Sequence, residues 1–269
     1  MIEHLIPIVS HAVSQGLIFS LVVMAIYLTS RVISFDDLTV EGSFGIGGAA
    51  VAIISLQGGE GYAVLGLLCA ALAGACAGAA TSVCHNKLQM NNLISGLVVT
   101  TGLFSVSLGL AGSNVSVAPS ALSSIGSLVA ICAVALGVMH LLLRSEVGYL
   151  LRALGANPNM LTSLGKSIGQ YKTLALVVAN MLTALAGGLF VLFAGYYSAL
   201  ANVGTMVIGL ASLMIAEAFS KSLGIFLIVG AIAYQLVFAV VLELQMPPTW
   251  NNLLKALLVI ALIALRRIK

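Results

Sequence analysis

The long apolar runs of this sequence constrain its fold more than any other feature. A helical run of about 20 apolar residues spans the roughly 30 Å hydrocarbon core of a bilayer. Of the 269 residues, 61% are hydrophobic and only 7% are charged. A soluble domain carries roughly 25% charged residues on its surface. The sequence therefore predicts an all-α polytopic membrane protein, a single transmembrane domain over residues 1–269 surrounded by lipid, with no nucleic-acid partner.

Nine apolar runs are candidate transmembrane helices, within a range of eight to ten. The first, second and last runs are short, as expected for re-entrant or strongly tilted segments. The N-terminal segment has Glu3 and His4 and no basic residue before its apolar stretch, which predicts a retained helix instead of a cleaved signal peptide. The predicted spans are Val13–Tyr27, Thr39–Leu56, Tyr62–Val83, Leu93–Ala111, Ser124–Leu143, Thr173–Ala194, Val203–Phe219, Leu223–Leu242 and Leu253–Leu265.

The basic residues are distributed asymmetrically around these nine spans. With the N-terminus outside, ten of the eleven Lys and Arg residues fall on one side, and only Lys255 falls near the other. Because basic loops are retained in the cytoplasm, this asymmetry predicts an external N-terminus and a cytoplasmic C-terminus. The ten residues are Arg31, Lys87, Arg144, Arg152, Lys166, Lys172, Lys221, Arg266, Arg267 and Lys269.

Acidic residues within or beside apolar runs need a physical reason. Ser34 and Asp37 have the spacing of a capping box, and Asp36 and Asp37 precede the second span, where acids suit the helix dipole. Glu41 lies deeper, and Glu217 lies near the inner end of the seventh span. An ionisable residue within a span is a functional candidate. Structural pairing and a place at a coupling interface are the alternatives for both glutamates.

Two segments of the sequence match each other: EGSFGIGGAAVAI from Glu41 to Ile53, and VGTMVIGLASLMI from Val203 to Ile215. Their thirteen aligned positions hold five identities and one Ser/Thr exchange. The predicted topology inverts one segment relative to the other, and inverted repeats in transport proteins place the pathway at the repeat interface. Plain packing of small residues is the alternative, as predicted for the GxxxG spacing of Gly74–Gly78. The candidate pathway residues are Glu41, Ser43, Gly47, Thr205 and Gly209.

The longest polar stretch is the predicted cytoplasmic loop 144–171. Helical spacing over Val147–Leu154 ends at Gly155, and Asn157-Pro158 forces a bend before a second short helix. Such a helical pair favours docking onto a partner protein, with a merely solvated basic loop as the alternative. The loop ends in a Gly-Lys-Ser like that of a Walker A motif, but Met160 stands where that motif needs glycine. Any ATP is therefore expected on a partner subunit.

The cysteines and histidines give no indication of catalysis. The four cysteines lie in or at the ends of apolar runs without zinc spacing, and the histidines are scattered near span ends. Neither forms a nucleophile with acid–base partners. The sequence therefore predicts a transport subunit that is not an enzyme and binds no cofactor. These residues are Cys69, Cys76, Cys84, Cys132, His4, His11, His85 and His140.

Three stretches resemble permeases of the branched-chain amino acid and ribose class of ABC importers, and within it the branch that works with tryptophan-type binding proteins. They are DDLTVEGSFGIGGA (Asp36–Ala49), GYLLRALGANPNMLTSLGKS (Gly148–Ser167) and ANVGTMVIGLASLMIAE (Ala201–Glu217). The resemblance implies two permease subunits, expected as a homodimer in a bacterial inner membrane, two cytoplasmic ATPases and an extracytoplasmic solute-binding protein. It also implies a coupling element that docks into the ATPase and carries Tyr149, Arg152, Gly155 and Asn157.

The transported solute and the energy source are expectations of the same resemblance. The family often has a stretch of the type GGxGSxxG after the seventh span, where this chain has EAFSKSLG from Glu217 to Gly224. This departure favours an aromatic over a branched-chain amino acid. The alternative function is a secondary transporter or channel that needs no ATPase, with Glu41 as a proton or sodium site.

Overall fold

The computed structural model describes residues 2–58, 62–118, 120–219, 224–242, 253–254 and 256–260, and most of these residues are helical. One short antiparallel pair of strands, β1 (Asn114–Ser116) and β2 (Tyr196–Ser198), accompanies the helices. The helices are α1 (Ile2–Ile26, continued by a π-helical stretch Tyr27–Val32), α2 (Thr39–Gly58), α3 (Ala63–Asn86), α4 (Asn92–Ala111), α5 (Ile125–Arg144), α6 (Glu146–Ala156), α7 (Pro158–Ser163), α8 (Ile168–Ala194), α9 (Thr205–Phe219) and α10 (Phe226–Leu242).

Six of the described helices, α1 to α5 and α8, are long and apolar enough to cross a membrane. The helices α9 and α10 are apolar but shorter. The predicted all-α, polytopic class is therefore confirmed. The ninth predicted span, Leu253–Leu265, lies largely outside the described residues, within which 253–254 and 256–260 are helical.

Burial separates the inner helices from those that face lipid. The most hydrophobic window of α1 is 83% buried and those of α2 and α8 are 67% buried, whereas those of α4 and α5 are only 17% buried. Apolar side chains that are exposed along a spanning helix suit contact with acyl chains or with another subunit. The bundle therefore has a centre of α1, α2 and α8, and α4 and α5 lie at its periphery.

Small residues allow the central helices to approach closely. A Cβ atom added at Gly47 of α2 would collide with the backbone carbonyl of Ala184 of α8. Gly74 and Gly78 of α3 lie in the same way against carbonyls of α8, those of Asn180 and Leu176. The predicted packing role of this GxxxG spacing is confirmed, because α3 and α8 can lie this close together only where the two glycines have no side chains.

The connection between α1 and α2 differs from the predicted capping box. Helix α2 begins at Thr39, so Ser34 lies outside the helix, with a left-handed φ of 52°. Its hydroxyl donates to the carbonyl of Gly155 at 3.2 Å, and Asp37 accepts from the backbone N–H of Thr39 at 2.9 Å. The predicted capping role of Asp37 is therefore confirmed, whereas Ser34 takes no part in a capping box and instead ties the connection to α6.

The chain before α9 runs back along α2. Its residues meet successively earlier residues of α2: Tyr197 lies at Gly48, Asn202 at Gly45 and Gly204 at Glu41. At its other end, α9 carries Glu217, whose carboxylate binds the Arg31 guanidinium of the α1 extension at 2.5 and 3.1 Å. Helix α9 therefore begins part-way along the bundle instead of at its end.

Candidate functional site

The start of α9 borders a cleft of about 170 Å³. The cleft lies between the first turns of α2, the second half of α4 and the segment that leads into α9. Its walls combine one carboxylate, several hydroxyl and amide groups, and one aromatic ring. The lining residues are Glu41, Gly42, Gly45, Thr100, Thr101, Phe104, Ser107, Ala199, Asn202 and Val203.

Hydrogen bonds fix the level of this cleft relative to the spanning helices. Thr100, near the middle of α4, donates to the carbonyl of Leu38 at 2.8 Å. Asn180, near the middle of α8, donates to Asp37 Oδ2 at 2.7 Å. The first turn of α2 is therefore level with the midpoints of two spanning helices. In many transporters the substrate sites lie near the bilayer midplane, where a helix is discontinuous.

Glu41 joins the start of α2 to the start of α9. Its Oε1 atom accepts a hydrogen bond from the backbone N–H of Gly204 at 3.0 Å. Gly204 has a φ of 87°, a left-handed conformation that suits glycine. A carboxylate beside the first N–H groups of a helix is stabilised by the helix dipole. The half-buried Glu41 side chain thus places a negative charge at the wall of the cleft.

Behind the cleft, buried polar side chains join α2 to α8. The Ser43 hydroxyl donates to Asn180 Oδ1 at 2.6 Å, and the Asn180 amide donates in turn to Asp37. Nearby, the hydroxyls of Thr39 and Thr81 lie 2.6 Å apart. All five side chains are buried. Satisfied polar networks of this kind specify one arrangement of their helices, because any shift leaves a buried group unpaired.

The structure separates the five predicted pathway residues. Glu41 lines the cleft, whereas Ser43 belongs to the α2–α8 network and Gly47 lies against the backbone of Ala184. Thr205 is 1% exposed, and Gly209 packs against Ile26 of α1. Of the five residues, only Glu41 lies in the wall of this cleft, and the other four are packed between helices.

Sequence reasoning did not identify Asn180, Asn202 or Thr100. Each is a hydrogen-bonding residue within or beside an apolar run, and Asn180 stands in the apolar stretch LALVVANMLTAL of α8. A polar amide within a spanning helix faces the bundle because lipid offers it no partner. A search for such residues, as well as for charged ones, would have found them.

The predicted coupling residues lie on α6 and at the bend after it, and the helix–bend–helix shape agrees with prediction. Tyr149 and Arg152 lie on the exposed face of α6. A Cβ atom at Gly155 would collide with the carbonyl of Val32, so Gly155 packs α6 onto the end of α1. Asn157 caps α7 by accepting from the N–H of Asn159 at 3.1 Å. Gly155 and Asn157 therefore position the α6–α7 pair, whereas the side chains of Tyr149 and Arg152 are available for contact with a partner.

Comparisons with known proteins agree with this architecture. Residues 8–263 match the family model described as branched-chain amino acid transport system / permease component. A tyrosine transport system permease protein of Clostridioides difficile (strain R20291) is 32% identical over 268 residues, covering 93% of this chain and 88% of the relative. An uncharacterized protein of Rickettsia prowazekii (strain Madrid E) is 31% identical over 214 residues, covering 74% of this chain and 75% of the relative. No solved structure gives a significant match. The chain therefore belongs to the family of permease components of branched-chain amino acid transport systems.

Proposed function

We propose that this chain is the permease subunit of an ABC importer that moves an aromatic amino acid into the cytoplasm of a bacterium. The observation that carries the proposal is the 32% identity to a tyrosine transport system permease over nearly the whole of both chains. ATP is hydrolysed by a separate ATPase subunit, and an extracytoplasmic binding protein delivers the solute. Two copies of the permease form a homodimer in the inner membrane, with the N-terminus outside and the C-terminus in the cytoplasm.

The cleft at the start of α9 supports an amino acid as the solute. Glu41 supplies a carboxylate for an ammonium group, and Thr101 and Asn202 supply hydrogen-bonding groups. The N-terminus of α9 favours the negative charge of a substrate carboxylate. Phe104 offers an aromatic face on the same wall. We assign this cleft to the translocation pathway, with Ser43, Gly47, Thr205 and Gly209 holding the helices around it.

The proposed importer is tested by reconstitution into proteoliposomes with the proteins that co-purify from native membranes. We expect an ABC ATPase among them, identified by mass spectrometry, and uptake of labelled tyrosine that requires ATP. Excess unlabelled tyrosine should suppress the uptake more strongly than excess leucine does. Uptake that continues without ATPase and follows a proton or sodium gradient would instead establish a secondary transporter.

The α6–α7 pair supports docking of the ATPase. Leu161 is fully buried and fixes α7 to the bundle, whereas Met160 on α7 and Leu164 directly after it are 53% and 55% exposed. Exposed apolar side chains on a polar loop are typical of protein contacts. Tyr149 and Arg152 add an aromatic and a basic group on the exposed face of α6. Movement of the docked ATPase would reach the bundle through the Gly155–Val32 contact.

Replacing Met160 and Leu164 together with glutamate should abolish the association with the ATPase. Two buried charges without partners cost several kcal/mol at an interface, so we expect at least about a hundredfold loss of affinity. Co-purification and ATP-dependent uptake measure the effect. The control is Thr162→Glu with Ser167→Glu, which adds the same charge at exposed positions of the same loop. An apolar docking contact would be contradicted if both double variants lost the ATPase equally, or if the Met160 and Leu164 double variant still bound it normally.

A further inference from the structure

A second cavity lies at the ends of the spanning helices that carry the basic residues. Its volume is about 500 Å³, and it is lined by the end of α1, the last turns of α5, the exposed face of α6 and the start of α10. One wall is cationic and hydroxylated and the other is apolar. The lining residues are Tyr27, Leu136, Met139, His140, Leu143, Arg144, Tyr149, Arg152, Gly224 and Leu227.

The cationic wall has no counter-charge in the described part of the chain. Arg144 and Arg152 lie there with His140, and neither arginine forms an ion pair with a described carboxylate. An adjoining cavity of about 300 Å³ shares Tyr27 and Arg152 and adds Arg31, whose charge is matched by Glu217. No described acidic residue lines either cavity. Two unmatched guanidinium groups at one cavity favour an anionic ligand.

The apolar wall and the neighbouring helix indicate where this ligand comes from. Leu136, Met139 and Leu143 of α5 line the cavity, and the outer side of α5 is exposed, with Val138 and Leu141 at 57% and 71%. An exposed apolar flank of this kind suits contact with acyl chains. A ligand that enters beside α5 therefore meets arginines at its polar end and leucine and methionine side chains beyond.

We propose that this cavity binds the phosphate headgroup of an anionic phospholipid. Arg144 and Arg152 would hold the phosphate oxygens through charge-assisted hydrogen bonds, which guanidinium groups form in pairs. Tyr27 and Tyr149 also line the cavity, and their hydroxyls would donate to the headgroup. Leu136 and Leu143 contact the first carbons of the acyl chain. Basic pockets between transmembrane helices on the cytoplasmic side suit such headgroups.

An acidic peptide from a partner protein is less favoured, because leucine and methionine side chains line the cavity and the adjoining outer side of α5 is apolar and exposed. A bound lipid would also have a mechanical consequence. The cavity is lined by α6, by the last turns of α5 and by the end of α1, so a bound lipid would contact the coupling element and the spanning bundle at once.

The test measures lipid binding to the full-length permease, purified in detergent, by native mass spectrometry and by thermal melting. Phosphatidylglycerol should bind about tenfold more tightly than phosphatidylcholine and should raise the melting temperature, because only the former has a net negative headgroup. Arg144→Gln with Arg152→Gln should remove this preference. The control, Lys87→Gln with Lys166→Gln, removes two exposed charges of the same predicted membrane side outside the cavity and should keep the preference.

A second variant covers the case in which the glutamine pair does not fold. Arg144→Lys with Arg152→Lys retains both charges but loses the paired donors, and should weaken phosphatidylglycerol binding by about threefold. Equal binding of the two lipids by the wild-type protein would overturn the proposal. An equal loss of the phosphatidylglycerol preference in the arginine-to-glutamine pair and in the Lys87→Gln with Lys166→Gln control would also overturn it. Inorganic phosphate or glycerol phosphate that protects as well as the lipid at equal concentration would identify a free-phosphate site and exclude the lipid.

Discussion

Replacing Gly47 with valine should prevent recovery of folded permease. The first added carbon atom would overlap the backbone carbonyl of Ala184, and a backbone in the centre of α8 has no alternative position. Overpacking of a core typically costs about 1–3 kcal/mol, and more where backbone must move, against a total stability of roughly 5–15 kcal/mol. We expect the monodisperse peak in size-exclusion chromatography to be lost, and any remaining protein to melt at a clearly lower temperature.

The matched control is Gly102→Val on α4. Gly102 also lies within a spanning helix, but a Cβ atom added there would meet no atom of a neighbouring element within 4 Å. The two variants share the change in helix propensity and hydrophobicity and differ only in the contact. A normal peak and melting temperature for both would mean that α2 and α8 are farther apart in the membrane than in this structure.

Apolar runs predicted the spanning helices well wherever polar residues mark both ends of a run. The predicted span Leu93–Ala111 corresponds to the helix Asn92–Ala111, which follows an extended Asn91 and ends at a left-handed Gly112. Hydrophobicity does not predict where a helix begins or ends when the helix continues beyond the bilayer. Helix α8 begins at Ile168, before the predicted Thr173, because Gln170 and Lys172 are good helix formers that do not need lipid.

The candidate site could be predicted only in part, because a sequence match does not say which face of a helix a residue occupies. Residues two apart lie on nearly opposite faces, and residues four apart share one. Glu41 and Gly45 therefore point to the cleft, whereas Ser43 and Gly47 point to α8, where they meet Asn180 and Ala184.

The discontinuity before α9 is a tertiary feature with a weak local signal. The segment 195–204 contains Gly195 and Gly204, both with positive φ, which predicts turns but no direction. Its course along α2 results from long-range contacts: β2 pairs with β1, and the Gly204 N–H binds Glu41. Local periodicity does not indicate contacts between residues as far apart in the chain as β1 and β2, or Glu41 and Gly204. The position of α9 therefore could not be predicted from the sequence.

Replacing Glu41 with glutamine should reduce uptake of the transported amino acid by about tenfold to a hundredfold without unfolding the protein. The glutamine carbonyl can still accept from the N–H of Gly204, so the contact between α2 and α9 is retained. What is lost is the negative charge toward the substrate ammonium, and a hydrogen bond to a charged group contributes about 1.5–3 kcal/mol. Initial rates of uptake into proteoliposomes, with melting temperature measured in parallel, give the effect.

Asp36→Asn is the matched control, because it removes the same charge from an exposed side chain five residues away. Uptake by this variant should remain within about twofold of wild type, since exposed charges contribute little. Normal uptake by the Glu41→Gln variant would place the amino acid elsewhere and leave Glu41 as a structural partner of Gly204 alone. A fall in uptake with an equal fall in melting temperature would lead to the same structural conclusion. Lost transport in a protein of unchanged stability would place the charge of Glu41 on the pathway.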